Sequence, residues 1–404
     1  MSGAGNGFPV PDERQLDLER LDLERLARLR AQLVAHDCAA GLFYDPTNIR
    51  YATGTSNMQV YGLHNPCRYV FVPAEGPTVL FDFAGCAHLS AGRSAVGEVR
   101  PAVSWYHFIV GERVAEKAAL WAEEIAELMA RHGGGERRLA VDRLDPAGLR
   151  ALEARGIAVA DGQEVANQAR KIKTPQEVLA VRAAVDGCET AIGRMAAALA
   201  PGITEQALWS HLHQANIELG GEWIETRLLT SGPRTNPWYQ ECSGRVIEAG
   251  DIVAFDTDLI GLHGYSADLS RTWVAGERPA GDAQRRLYAA AFEQVTRNIP
   301  LFRPGVSFGE IAARAQRPPE RYRGLPGAAL AHGIGLCNEY PLIVDPSAWE
   351  AGGVEGRVEA GMVFCVEAFA GEPGGREGVK LEQQILVTET GPELLSARLD
   401  ETLL

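Results

Sequence analysis

Residues 255–268 read FDTDLIGLHGYSAD and place Asp256, Asp258 and Asp268 in or beside short apolar runs. Downstream come an isolated His332, then Glu367 directly after MVFCV and Glu382 directly after VKL. If those runs fold into sheets, five carboxylates enter a low-dielectric interior, where uncompensated charge costs far more than a domain's net stability. The fold is therefore restricted to one that gathers these acids around cations. Five acids and one imidazole supply oxygen and nitrogen ligands for two divalent ions that share bridging carboxylates.

The spacing supports convergence. Asp256 and Asp258 are two residues apart, so on a continuous strand both side chains leave the same face. Gly261 and Gly264 mark a hairpin whose returning strand brings Asp268 close to opposite them. Glu367 and Glu382 lie on successive strands that suit another hairpin, and the glycines after His332 let backbone pass close to a bulky centre. Any one of these acids, in a chain with 53 Asp and Glu, reads best as a surface group. A lone histidine likewise reads as a hydrogen-bonded core residue. Their joint placement on several apolar strands is what a surface reading does not explain.

At 404 residues and 46% hydrophobic content the chain has material for two cores. A formal net charge of -14 excludes sequence-independent binding to nucleic acid or to an anionic membrane, and leaves a small molecule as the expected partner. Seven cysteines without a CxxC pair suit reduced thiols rather than a disulfide framework. The charged N-terminus lacks the apolar core of a signal peptide, and no run approaches the ~18 apolar residues of a membrane span. A soluble cytoplasmic protein is expected.

Two domains are expected, residues 1–165 and 166–404. The doubled LDLER near the start reads as one amphipathic surface helix through Leu33 rather than a repeat. After it AAGLFYD, RYVFVPA and TVLFDFA read as strands, IRYATG as near-strand, and Val114 to His132 as a helix, which makes an α/β domain. At the join KIKTPQEV, Thr174 as N-cap, Pro175 and Glu177 form a capping box that starts a long helix. A second helix follows Thr204, with Leu208 and Leu212 facing inward. Strands, another helix pair and further strands complete an α+β domain. His64 and His263 read as loop residues.

The segments KTPQEV, GYSADLSRT, HGIGL, VEAF and KLEQQ together resemble the creatinase, prolidase and methionine aminopeptidase superfamily over nearly the whole chain. The resemblance implies a creatinase-like α/β N-terminal domain followed by an α+β catalytic domain of the pita-bread fold. Peptidases of that superfamily carry a histidine after the proline of the SGP segment and another shortly after HGxGL. Here Pro237 is followed by Trp238, and HGIGL by Cys337, Asn338 and Glu339, so an Xaa-Pro peptidase or a creatinase-like hydrolase is the weaker reading. The peptidases also place one acid eleven residues before the second. Here that position is Thr257, with Asp256 and Asp258 on either side.

TSGPRTNPW, FDTD and HGIGLC followed by EYP instead resemble the DddP-type lyases, which cleave dimethylsulfoniopropionate, a small zwitterion, to dimethyl sulfide and acrylate. That resemblance implies Asp256, Asp258, Asp268, His332, Glu367 and Glu382 as ligands of two metal ions, iron in the family. By ligand type, manganese, cobalt and zinc suit equally. It also implies a homodimer in which YATGTSNMQVYGLHNP covers a neighbouring active site. At Asn338 the family has an aspartate that acts as the base, and an amide has no useful basicity. The family's tyrosine close before the metal histidine corresponds to Gly327. Three readings of Asn338 stand open: an inactivated form, a homologue with another substrate, or a base elsewhere, such as Glu339 or a metal-bound hydroxide. Trp238 is a candidate for holding a sulfonium by cation–π attraction. Tyr239, Tyr265 and Arg234 are candidates for lining the pocket or binding the carboxylate.

Overall fold

The structure is a computed structural model, described for residues 16–322 and 329–403; Gly327 lies outside the described residues. The chain forms two compact units, Leu16–Arg170 and the chain from Lys171 onward. The join falls after Arg170 rather than after residue 165, because helix Gly162–Arg170 buries Val165, Ala166 and Ala169 in the first unit and packs on helix Leu18–Ala35.

In the first unit the strands are β1 (Ala40–Phe43), β2 (Tyr69–Pro73), β3 (Val79–Asp82), β4 (Glu98–Pro101), β5 (Arg138–Val141) and β6 (Ala158–Asp161). They form one mixed sheet in the order β4-β3-β2-β1-β5-β6. Helix Val114–His132 covers it, placing Trp121, Ile125 and Leu128 against Leu42, Phe71 and Phe81. IRYATG is not near-strand but the end of helix Pro46–Thr53. Asp45 caps that helix by accepting the Thr47 N–H, Pro46 starts it, and Gly54 ends it at φ 70°. Caps at both ends outweigh the strand preference of its Ile and Tyr.

In the second unit the capping box at Thr174 starts helix Pro175–Ala198, and Thr204 caps helix Glu205–Glu218, which packs against it. The strands are β7 (Trp223–Ile224), β8 (Leu229–Ser231), β9 (Ile252–Asp256), β10 (Leu259–Ile260), β11 (Ser266–Ala267) and β12 (Ser270–Val274), then β13 (Ala329–Ile334), β14 (Asn338–Val344), β15 (Val363–Gly371), β16 (Gly378–Thr388) and β17 (Gly391–Leu394). Among the described residues these form three sheets: β14-β13-β15-β16-β17, β12-β9-β8 and β11-β10-β7. Contact of β16 with β9 and β12 brings the five-stranded sheet against the acid-bearing strands. Helix Asp282–Asn298 covers β15 and β16 through Leu287, Ala291 and Val295. Among the described residues no helix is long and apolar enough to cross a membrane.

Candidate metal centre

The acid-rich hairpin is interrupted where its acids lie. β9 ends at Asp256, whose Cα partner across the ladder is Ser270, and Asp258 follows outside the strand at φ 37°. The expectation of Asp256 and Asp258 on one continuous strand face is thus corrected. Thr257 makes the break: its Oγ1 donates to the Ala267 carbonyl at 3.0 Å and accepts the Leu269 N–H at 2.8 Å, so the ladder is bridged by a side chain. Asp268 hangs in the resulting gap, and its Oδ1 accepts the Asp258 N–H at 3.0 Å. Despite the break, Asp256, Asp258 and Asp268 each offer a ligand atom within 4.8 Å of the others.

The second set comes from the five-stranded sheet. Register pairs His332 on β13 with Cys365 on β15, Cys365 with Gln384 on β16, and Glu367 with Glu382. Partners across a ladder project to the same face, so the whole row is directed toward Asp268. Ligand atoms of Asp268, His332, Cys365 and Glu382 lie within 4.8 Å of one another. Asp268 belongs to both sets. Gly333 and Gly335 after the histidine serve β14 rather than the centre: a Cβ on Gly333 would meet the Tyr340 carbonyl oxygen at 2.6 Å, and one on Gly335 the Glu339 carboxylate at 2.6 Å.

A cation is already present in the protein's own chain. The Lys380 ammonium is fully buried and donates to Asp256 Oδ2, Glu382 Oε2 and Ser270 Oγ at 2.9, 2.9 and 3.0 Å, with Glu367 Oε2 also at 2.9 Å. Glu367 therefore joins the centre through Lys380, outside the two ligand sets. Nζ also lies 5.9 Å from the centroid of the buried Trp238 ring. Lysine 380 was not anticipated, although its position two residues before Glu382 puts both side chains on one strand face.

One ammonium does not neutralise this group. Burial and then the Glu382 charge push Asp256 up to about 7, against the pull of Lys380. Burial and then Asp258 hold Asp268 well above the ordinary carboxylate range. Burial alone would lower His332, but the Glu382 carboxylate outweighs it and raises the imidazole to about 9. Glu382 is held low because Lys380 and His332 together overcome the opposing effect of its burial. Its Oε1 is buried without a hydrogen-bond partner, 3.4 Å from His332 Nε2. Excess buried negative charge, an unsatisfied carboxylate oxygen and a mixed oxygen and nitrogen donor set all fit divalent cations.

The structure divides the remaining candidates. Tyr239 is two-thirds exposed at φ 69°, and partial burial and then the Glu367 charge raise its phenol, so it stands within the field of the acid cluster. Arg234 is instead tied to the buried Glu205 and to Ser243 Oγ and the Glu241 carbonyl. Tyr265 is fully buried with its hydroxyl donating to Glu177 at 3.1 Å, so it braces the long helix rather than lining a pocket. Asn338 opens β14 with its side chain exposed.

Glu339 is not a poised base. It is buried, accepts Lys173 Nζ at 2.6 Å and the Leu336 N–H at 3.1 Å, and so pins the turn that carries Asn338. Replacing Lys173 alone by Met leaves that carboxylate buried without its cation, which costs about 3–5 kcal/mol. Urea unfolding followed by circular dichroism should show this loss, and the double variant Lys173→Met, Glu339→Met should recover most of it. Equal loss in single and double variants would mean that the pair does not act as a unit.

Comparison with known proteins shows the family and the fold. Residues 180–389 match Metallopeptidase family M24, and residues 25–172 match the Creatinase/Prolidase N-terminal domain. The chain is 43% identical to a protein named dimethylsulfoniopropionate lyase DddP from Roseovarius nubinhibens, covering 94% of this chain and 86% of that one. It is 40% identical to the protein of the same name from Roseobacter denitrificans, over 93% and 87%. Among solved structures, an Xaa-Pro dipeptidase from Bacillus anthracis superposes with a TM-score of 0.75 at 21% identity, over 94% of this chain and 99% of that one, which speaks for the shared fold. With a creatinase-like N-terminal domain, an M24 pita-bread catalytic domain and these relatives over most of its length, the chain belongs to the DddP family.

Proposed function

We propose that this protein is a metal-dependent carbon–sulfur lyase that converts dimethylsulfoniopropionate to dimethyl sulfide, acrylate and a proton. The observation that carries the reading is a pair of buried ligand sets sharing Asp268, in a chain 43% identical to a protein named for that reaction. Asp256, Asp258, Asp268, His332, Glu367 and Glu382 would hold two divalent cations, iron by family resemblance, which supply Lewis acidity at the substrate carboxylate.

The protein's own groups account for the rest. The Trp238 ring already lies near the Lys380 ammonium, and a sulfonium against the same ring gains about 0.5–2 kcal/mol of cation–π attraction. Tyr239 stands within the field of the acid cluster, where its hydroxyl can orient the substrate. Asn338 hydrogen-bonds but cannot take the proton next to the carboxylate, so turnover is slow. Homodimer formation is part of the proposal, supported by the exposed apolar side chains Met58, Val60, Tyr61 and Leu63 within the matched N-terminal segment. A reducing cytoplasm suits seven cysteines that are all free.

Gas chromatography of dimethyl sulfide released by metal-loaded protein tests the reading, with acrylate expected in equal amount. Release of proline from Xaa-Pro dipeptides, with no sulfide from the sulfonium substrate, would replace it by a hydrolase.

A further inference from the structure

We infer that Cys365 supplies a thiolate ligand to the position formed by Asp268, His332 and Glu382, and that this position favours iron, cobalt or zinc over the harder ions magnesium and manganese. The inference rests on reading the acid cluster as a metal centre and adds a ligand beyond the six carboxylate and imidazole groups.

The position of Cys365 is set by the sheet. It sits on β15, hydrogen-bonded between β13 and β16, with His332 and Gln384 as its cross-strand partners. Glu367 follows two residues later and shares its face. Its Sγ, a nitrogen of His332 and one oxygen each of Asp268 and Glu382 lie within 4.8 Å of one another. Atoms this close could be taken up by one divalent cation, with the thiolate added to the carboxylates and imidazole.

Two buried side-chain atoms beside this spot make no hydrogen bond. Glu382 is 1% exposed, and its Oε1 has no hydrogen bond. Gln384 is fully buried; its Oε1 accepts the Asp268 N–H at 3.2 Å, while its Nε2 is unsatisfied. A cation satisfies the first. A thiolate on the neighbouring Cys365 offers an acceptor to the second, as supporting N–H donors commonly do around metal ligands.

The ordinary alternative is a small buried side chain that fills space. That role fits a cysteine among apolar neighbours, whereas Cys365 faces two acids, a histidine and an amide. Its present contact, the Asp268 carbonyl oxygen at 3.6 Å, is a weak one for a thiol. On metal binding the S–H bond breaks heterolytically, its proton passes to the buffer, and a sulfur–metal bond forms; no oxidation state changes. Thiolate ligation then favours iron, cobalt and zinc over the harder ions magnesium and manganese.

The test is Co²⁺ titration of the full chain and of Cys365→Ser, read by absorption. The wild type should show a near-ultraviolet sulfur-to-cobalt charge-transfer band as well as visible ligand-field bands. Cys365→Ser should keep the ligand-field bands, lose the charge-transfer band and bind Zn²⁺ at least about 10-fold more weakly, with Mn²⁺ affinity unchanged. Ligand-field bands without charge transfer in the wild type, or a charge-transfer band that survives the substitution, would overturn the thiolate and leave the metal centre standing. Absence of bound cobalt from both proteins would overturn both. Should Cys365→Ser fail to fold, X-ray absorption of the Co²⁺-loaded wild type decides: a sulfur neighbour at ~2.3 Å supports the assignment, and a shell of oxygen and nitrogen alone rejects it.

Discussion

Asp268→Asn should leave the purified protein without stoichiometric metal at either position and lower dimethyl sulfide release by at least about 1,000-fold. Asp268 is the residue common to both ligand sets, so removing its charge weakens two positions at once. Lewis-acid stabilisation of developing charge amounts to several kcal/mol, and ~4 kcal/mol corresponds to about 1,000-fold in rate. The fold should survive, because an amide oxygen still accepts the Asp258 N–H that Asp268 Oδ1 accepts at 3.0 Å. Metal-free stability should even rise. A carboxyl held above its unfolded value destabilises the folded state once pH exceeds that unfolded value, and Asp268 is so held by burial and by Asp258. Elemental analysis, sulfide release and thermal melting of the metal-free protein together check this. Retention of full metal content would exclude a shared ligand at this position.

Asn338→Asp should raise turnover of dimethylsulfoniopropionate by about 100- to 10,000-fold, the usual contribution of a positioned base. The side chain at 338 is exposed, so a carboxylate there carries no burial penalty. Its turn is fixed by Glu339 against Lys173 and the Leu336 N–H, and Asp has nearly the shape of Asn. The change should therefore appear in kcat with metal content unaltered, and the rate should acquire an acid limb as the new carboxylate protonates. Unchanged turnover, with metal bound, would show that the proton leaves to another group.

Much of this centre was legible because its chemistry is unusual in apolar strands. The cross-strand pairing of Glu367 with Glu382 follows from their spacing and is the observed register. The break at Thr257 was not legible, since a hydroxyl bridging two backbone groups leaves no mark in the apolar pattern. Helix Pro46–Thr53 was hidden by residues that favour strands, although Asp45, Pro46 and Gly54 signalled its ends. Arg234, Tyr265 and Glu339 looked available because their partners are remote in sequence: Glu205, Glu177 and Lys173. Lys380 and Cys365 could have been found by the same period-two rule used for the acids, since each stands two residues before a glutamate on its own strand.

The placement of Lys380 bears on how such a centre can change over time. Lys380 and Glu382 share β16 and Glu367 is the direct partner of Glu382 on β15, so two negative charges and one positive charge travel together on adjoining strands. A drift in the surrounding loops leaves that internal compensation intact. Loss of the lysine alone does not, because two like charges facing each other across a ladder push the strands apart. Descendants that replace it must therefore alter one of those glutamates as well, or depend on a bound ion to keep the sheet closed.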